Sequence, residues 1–202
     1  MSIISKVKAV EQIFASLDKE IASLQATSGL HCIAGCGKCC FKPDIEASPL
    51  EFLPYAFHLL VTNRIEEQYD LLLARDTPTC AIFSPTNDSL IKGSCSEYKF
   101  RGLICRLFAY SAIRDKYGKT TFVTCLPLKT QSPDQVASIN ASIAEGKSIP
   151  MMNDYYFQIR SIDPDLGTKL MPINQALKEA MEVVMSYYAY RQRPSATGEL
   201  SA

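Results

Sequence analysis

The sequence has no excess of charge of either sign: Lys+Arg and Asp+Glu both number 21. Polyanion binding relies on a cationic field, so no nucleic-acid partner is expected. No apolar run approaches the roughly 18 residues of a membrane span, so no membrane association is expected either. The opening residues, Met1-Ser2-Ile3-Ile4-Ser5-Lys6-Val7-Lys8, do not place a basic stretch before an apolar one and do not read as a secretory signal. These absences predict a cytoplasmic chain. In a reducing compartment, dense cysteine favours metal or catalytic use over structural disulfides. The sequence also lacks internal repeats, low-complexity segments and a glycine-rich nucleotide loop. It offers no general base or nucleophile constellation beyond its thiols, so enzymatic activity is left open. With 202 residues and 47% hydrophobic content, it can bury a core without disulfide staples.

What the chain does have is cysteine, and helical periodicity on either side of it. Ile3, Val7, Val10, Phe14, Leu17, Ile21 and Leu24 step by four and three, which predicts an amphipathic helix over 3–25 that Gly29 caps. Ile4 and Ile13 widen the stripe. Such a seam packs inside its own domain or, in the alternative reading, forms a homodimer through the N-terminal helix. Ser48-Pro49-Leu50-Glu51 reads as an N-cap, a proline at the first helical position and a capping box. Residues 64–74 continue as helix, and 76–98 read as loop-rich around the turn cluster Ser84–Ser89. Leu107–Ile113 and Thr120–Cys125 read as a hairpin turning at Gly118, a device for bringing Cys105 and Cys125 together. Helices follow from Ser132 to Gly146, from Asn153, and over 173–191. The expected fold class is mainly α with a small β-hairpin (α+β), its helices packed around a cysteine-rich metal-binding core. The expected layout is a single domain over 1–193: an N-terminal helix at 1–28, a cysteine core at 31–125 and a helical cover at 133–193. A disordered tail at 194–202 completes it.

Four of the eight cysteines stand within His31–Cys40: Cys32, Cys36, Cys39 and Cys40. The others, Cys80, Cys95, Cys105 and Cys125, are scattered. Gly35 and Gly37 flank Cys36 and suit a tight turn of positive φ. Cys36-Gly-Lys-Cys39 is a CxxC knuckle, and Lys38 favours the thiolate form. The adjacent thiols of Cys39 and Cys40 are expected to point apart. His31 and His58 read as ordinary hydrogen-bonding or helical histidines rather than ligands. Arg101 and Arg106 suit the outer surround of an anionic metal–thiolate centre, as cofactor-binding residues.

The ordered pattern Cys32-x3-Cys36-x2-Cys39-Cys40, Cys80-x-x-Phe83, Cys95-x-x-Tyr98-x-x-Arg101-x3-Cys105-Arg106 and Cys125 resembles the YkgJ-type cysteine-cluster (CxxCxxCC) family of zinc- or iron-chelating domains. The first gap has three residues where the family's usual motif has two, and Gly102 stands where the family generally has proline. The resemblance implies a metal centre, with Cys32, Cys36, Cys39, Cys40, Cys80, Cys95, Cys105 and Cys125 as metal ligands. An iron–sulfur cluster, [4Fe–4S] before other types, or zinc is the expected cofactor. An unidentified protein or small molecule is the expected further partner. The first functional reading is an iron–sulfur protein in electron transfer or redox chemistry. The second is a zinc-stabilised binding module without catalysis. Two enzyme readings stand behind these: a radical-SAM-like enzyme, from the Cys32-x3-Cys36-x2-Cys39 spacing, and a relative of flagellin lysine N-methylases, which share a similar cysteine pattern. A thiol–disulfide relay through Cys36 and Cys39 is the reading that needs no metal.

Overall fold

A computed structural model of the chain describes residues 1–194 apart from Pro43, Asn87 and Asp88, and leaves the side chains of Ser89, Leu90 and Ile91 undescribed. The tail expected at 194–202 therefore lies, beyond residue 194, outside the described residues.

The N-terminal periodicity becomes helix α1, Ile3–Ser28. Ser2 caps it by accepting the Ser5 N–H at 3.1 Å. Gly29 ends it at φ 67°, donating its N–H to Gln25 O. Its seam residues Ile3, Val7, Val10, Phe14, Leu17 and Ile21 are buried within this chain. They pack against helices α2 (Pro49–Val61) and α7 (Met152–Ile162). The stripe that could have served a homodimer is thus buried inside this chain's own fold. Helix α2 is buried nearly all round, as its run of Leu50, Phe52, Leu53, Leu59 and Leu60 demands. It packs most heavily on the last helix, α9 (Ile173–Tyr188), through Ile173, Leu177, Ala180, Met181, Val184 and Tyr188. Helix α3 (Ile65–Leu73) lies on α9 as well.

Strand content is confined, among the described residues, to three two-stranded antiparallel pairs. Strand β1 (Glu46–Ala47) pairs with β6 (Met171–Pro172), tying the start of α2 to the start of α9. Strand β2 (Phe83–Thr86) pairs with β3 (Ser89–Cys95), Phe83 opposite Cys95. The region 76–98, read as loop-rich, therefore holds a hairpin: Ser84–Thr86 of the turn cluster lie in β2 and Ser89 begins β3. Strand β4 (Ser111–Arg114) pairs with β5 (Thr120–Val123) about a turn at Gly118, φ 85°. A short 3₁₀ helix, Tyr98–Phe100, and helix α4, Leu103–Leu107, precede it. The first strand of this predicted hairpin is thus shorter than its β-prone run, because the run's start is captured as the end of α4. The rest of the cover comprises α5 (Leu126–Gln131), α6 (Pro133–Ala144) and α8 (Pro164–Gly167). Gly146 follows α6 at φ 80°.

The fold class needs correction in one respect. The architecture is mainly helical with short antiparallel pairs, but its core is aliphatic and aromatic: Leu17, Leu50, Phe52, Leu53, Leu59, Leu103 and Ile159 are among its most deeply buried members. The cysteines do not form a metal-binding centre for it. Apart from the buried Cys80 they range from half-buried to exposed.

Candidate thiol site

The loop from His31 to Cys40 follows α1 and is shaped by two turns. Cys36 N–H donates to Ile33 O at 3.2 Å and Cys40 N–H to Gly37 O at 2.9 Å. Gly35 and Gly37 both hold positive φ, 67° and 60°. The β2–β3 hairpin clamps this loop. Gly93 N–H donates to Gly35 O, and Cys80 N–H to Cys40 O, both at 3.1 Å. Phe83 packs edge-on against Phe41 with ring centroids 4.8 Å apart. The approach is so close that a Cβ on Gly37 would sit 2.7 Å from the Phe83 ring. On the other side, Cys32 N–H donates to the Tyr110 hydroxyl at 2.6 Å.

Within this frame the eight thiols fall into two sets joined at Cys39. Cys32 is raised by burial and then by the charges of Cys39, Cys125 and Cys36, in that order. Cys40, Cys80, Cys95 and Cys105 form the inner set. Burial raises Cys80 to about 11 and pushes Cys105 up, with Cys80 and Cys39 as its leading charged neighbours. Cys95 is raised by burial, against the Glu97 N–H and Arg101, which favour its thiolate. Cys125 lies just beyond β5 and acts on Cys32, whereas Cys105 sits on α4 among the inner set. The hairpin therefore delivers Cys125 to the outer set.

Cys39 and Cys40 behave oppositely. The Cys40 thiol donates a hydrogen bond to the Cys39 sulfur, and the N–H groups of both residues point at that sulfur. With Arg101 adding positive charge, these outweigh desolvation and lower Cys39 to about 6. Cys40 is raised by the same hydrogen bond and by burial, so it keeps its proton. The two adjacent side chains, expected to diverge, meet each other. All eight cysteines are free thiols.

The two arginines have different employment. Arg106 is buried beneath α1, donating to Lys99 O at 2.5 Å and Arg101 O at 3.1 Å, pairing with Asp18, and lying over the Phe14 ring. It is a strut between α4 and α1. Arg101 lies over the Tyr98 ring, its guanidinium carbon 4.0 Å from the centroid, and within 3.7 Å of Asp18. Its charge reaches Cys39 and Cys95. His31 is exposed, and His58 stacks on Phe100 with centroids 4.6 Å apart. Three contributors have no sequence signature at this site: Asp18, far away on α1, Tyr110, and Glu51. The capping box predicts Glu51's bond to Ser48 N–H, 2.8 Å, but not that its other oxygen accepts the Ile104 N–H at 3.3 Å. The capping acid of α2 also caps α4.

The expected metal centre is overturned by this geometry. A four-thiolate site needs its sulfurs about 4 Å apart around one point, given Zn–S distances near 2.3 Å. Among the described residues, no three His, Cys, Asp or Glu side chains are grouped so as to hold a metal ion. The thiols feel one another's charge without converging. The iron–sulfur or [4Fe–4S] cluster, zinc, and metal as a partner are accordingly withdrawn. The readings built on such a centre fall with them: electron transfer through a cluster, the zinc-stabilised module, and the radical-SAM-like and methylase-related enzymes. No helix among the described residues is long and apolar enough to cross a membrane.

No curated protein and no solved structure matches the chain. Residues 31–126 do match one family model, CxxCxxCC, described as "Putative zinc- or iron-chelating domain". As they are arranged here, the donors do not fit the chelation in that description. The match spans the segment from the first cysteine turn to the last, so a domain of the CxxCxxCC, YkgJ-type, cysteine-cluster kind is found over residues 31–126.

Proposed function

We propose that the chain is a thiol redox protein, with Cys39 as its reactive thiolate and Cys32 as the thiol that resolves the mixed disulfide. The observation that carries this reading is the contact between Cys39 and Cys40: one sulfur accepts the other's S–H and two backbone N–H groups. Hydrogen bonds and a neighbouring guanidinium favour thiolate, the nucleophilic form of cysteine. Cys39 is exposed, so a partner disulfide can reach it. The thiolate attacks one sulfur of that disulfide, forms a mixed disulfide and expels the other half as thiolate, which takes a proton from solvent. Cys32 then gives up its proton, attacks the Cys39 sulfur and releases the second half as thiol. The balance is two protein thiols and one disulfide converted to one protein disulfide and two thiols. Cys32 takes the second role because Cys39 is the cysteine whose charge it feels most, and both are exposed. Closing a bridge between the adjacent Cys39 and Cys40 would instead distort their shared peptide from planarity. An exchange that must return Cys32 and Cys39 to thiols fits a reducing, cytoplasmic setting.

The test is competitive alkylation with iodoacetamide at graded pH, read by peptide mass spectrometry. Cys39 labels first, its rate rising to a plateau with a midpoint near 6. An ordinary thiol follows a midpoint of about 8.5. A Cys39 rate that keeps climbing beyond pH 8 sinks the reading. Limited oxidation then yields a Cys32–Cys39 linkage; a Cys36–Cys39 linkage reassigns the resolving thiol.

A further inference from the structure

A cavity of about 290 Å³ forms where separate stretches of the chain meet: Asp44–Glu46 around β1, Ile104 on α4, Tyr156 and Arg160 on α7, and Leu170 just before β6. No cysteine lines it, so it stands apart from the thiol chemistry. Sites for small molecules begin at about 300 Å³, so a ligand here is a small one. Backbone contacts fix the walls. Strand β1 is paired to β6, and Ile173 N–H donates to Ile45 O at 3.0 Å. Glu51 holds the Ile104 N–H. Gly167 brings α8 so close to α7 that a Cβ there would lie 2.9 Å from Arg160 Cα. Ile104, the half-buried Tyr156 ring and the exposed Leu170 make the lining apolar. Asp44, Glu46 and Arg160 are exposed at its rim. Among the described residues, these three side chains have no ion pair or hydrogen bond, and the Tyr156 hydroxyl has no hydrogen-bond partner. The Arg160 guanidinium lies 5.7 Å from the Tyr156 ring centroid. Charges next to the cavity in sequence do find partners: Lys169 pairs with Glu179 at 2.8 Å, and Asp163 with Lys6. The cavity keeps charges of both signs unpaired around an apolar floor.

We infer that this cavity binds a free apolar amino acid, its ammonium taken by Asp44 and Glu46, its carboxylate by Arg160, and its side chain by Ile104, Tyr156 and Leu170. Two acids and one base complement a zwitterion. A simple anion would meet two carboxylates, and a simple cation would meet a guanidinium. The planar guanidinium suits a carboxylate, and the Tyr156 hydroxyl supplies one further donor to it. The apolar floor favours an aliphatic side chain over a polar one, because that side chain leaves water on binding.

The experiment titrates the full chain with L-leucine, N-acetyl-L-leucine and L-leucinamide by isothermal calorimetry. The second probe lacks the ammonium and the third lacks the carboxylate. The expected result is saturable L-leucine binding with a Kd of about 1 mM or lower, and binding at least about tenfold weaker for each blocked probe. Arg160→Gln, at an exposed position, should lower L-leucine to the native chain's affinity for leucinamide while leaving leucinamide unchanged. Glu46→Gln combined with Asp44→Asn should lower L-leucine to the level of N-acetyl-leucine in the same way. No saturable L-leucine binding to the native chain overturns the inference. Undiminished L-leucine binding to both variants also overturns it, because the ligand then sits elsewhere. Leucinamide binding as tightly as L-leucine would assign the cavity to the amino end of a peptide and overturn the free amino acid. N-acetyl-leucine binding as tightly would do the same in favour of a peptide's carboxyl end.

Discussion

Helix α2 and the cysteine loop at His31–Cys40 are neighbours in one fold and are held by different forces. α2 buries Leu50, Phe52, Leu53, Leu59 and Leu60 against α1 and α9, and its position follows from removing that area from water. The loop buries little. It keeps its shape through two turn hydrogen bonds, two glycines of positive φ and the backbone bonds from Gly93 and Cys80. Area burial is cooperative and tolerant of local error. A clamp of few bonds is neither, and a reactive thiol can only sit in the second kind of place, exposed yet fixed.

The largest effect should come from the frame. Leu17 is fully buried between α1 and its partners, and Leu17→Ala removes its packing and leaves a cavity. The expected loss is about 3 kcal/mol, within the usual 2–5 kcal/mol for such truncations. It should appear as a lower urea midpoint, with the order of thiol labelling in native buffer unchanged. If Cys39 lost its lead in that variant, frame and loop would not be separable.

Gly93→Ala should give the converse, with a smaller cost. A Cβ there would lie 2.2 Å from Ser84 O and 2.5 Å from the Phe83 ring, so the hairpin must open or shift. Overpacking of this kind costs on the order of 1–3 kcal/mol, and here it falls on the clamp. The helical circular dichroism should persist while Cys39 loses its early labelling and Cys40 and Cys80 become accessible. A variant with normal labelling and a globally lowered midpoint would show that the hairpin belongs energetically to the frame.

The same contrast explains what could be read from the sequence. The seam of α1, the cap at Gly29, the Ser48–Glu51 box and the inward face of α9 are all local patterns, and each appears where periodicity or cap chemistry puts it. The cysteine pattern was enough to find the family segment. It could not give the distances among sulfurs, because those depend on how β2–β3 docks on the loop and on α4 forming at Leu103–Leu107, a helix of only five residues. Asp18 shows the limit plainly. On α1 it is one more exposed acid of an amphipathic helix, and only the chain's return at Arg101 and Arg106 makes it a partner.

Glu51 belongs to both regions, so it tests the comparison most finely. Its carboxylate accepts from Ser48 N–H and Ser48 Oγ at the head of α2, and from Ile104 N–H at the head of α4. Glu51→Gln keeps the shape but replaces one acceptor oxygen with a donor, so a buried N–H or hydroxyl at one of the two helix starts loses its partner. That costs about 1–2 kcal/mol. Burial raises the Glu51 carboxyl above its usual 4.5 despite those donors. The folded chain therefore holds this proton more tightly than the unfolded one. The group's pH-linked stability is complete below the unfolded value and is lost as pH climbs through the raised folded value. Glutamine has no such proton. The stability gap between the native chain and Glu51→Gln, measured by urea unfolding, should therefore narrow from pH 5 to pH 8. A gap that widened over that range would mean that the charged carboxylate, and not its protonated form, is what the two helix starts select.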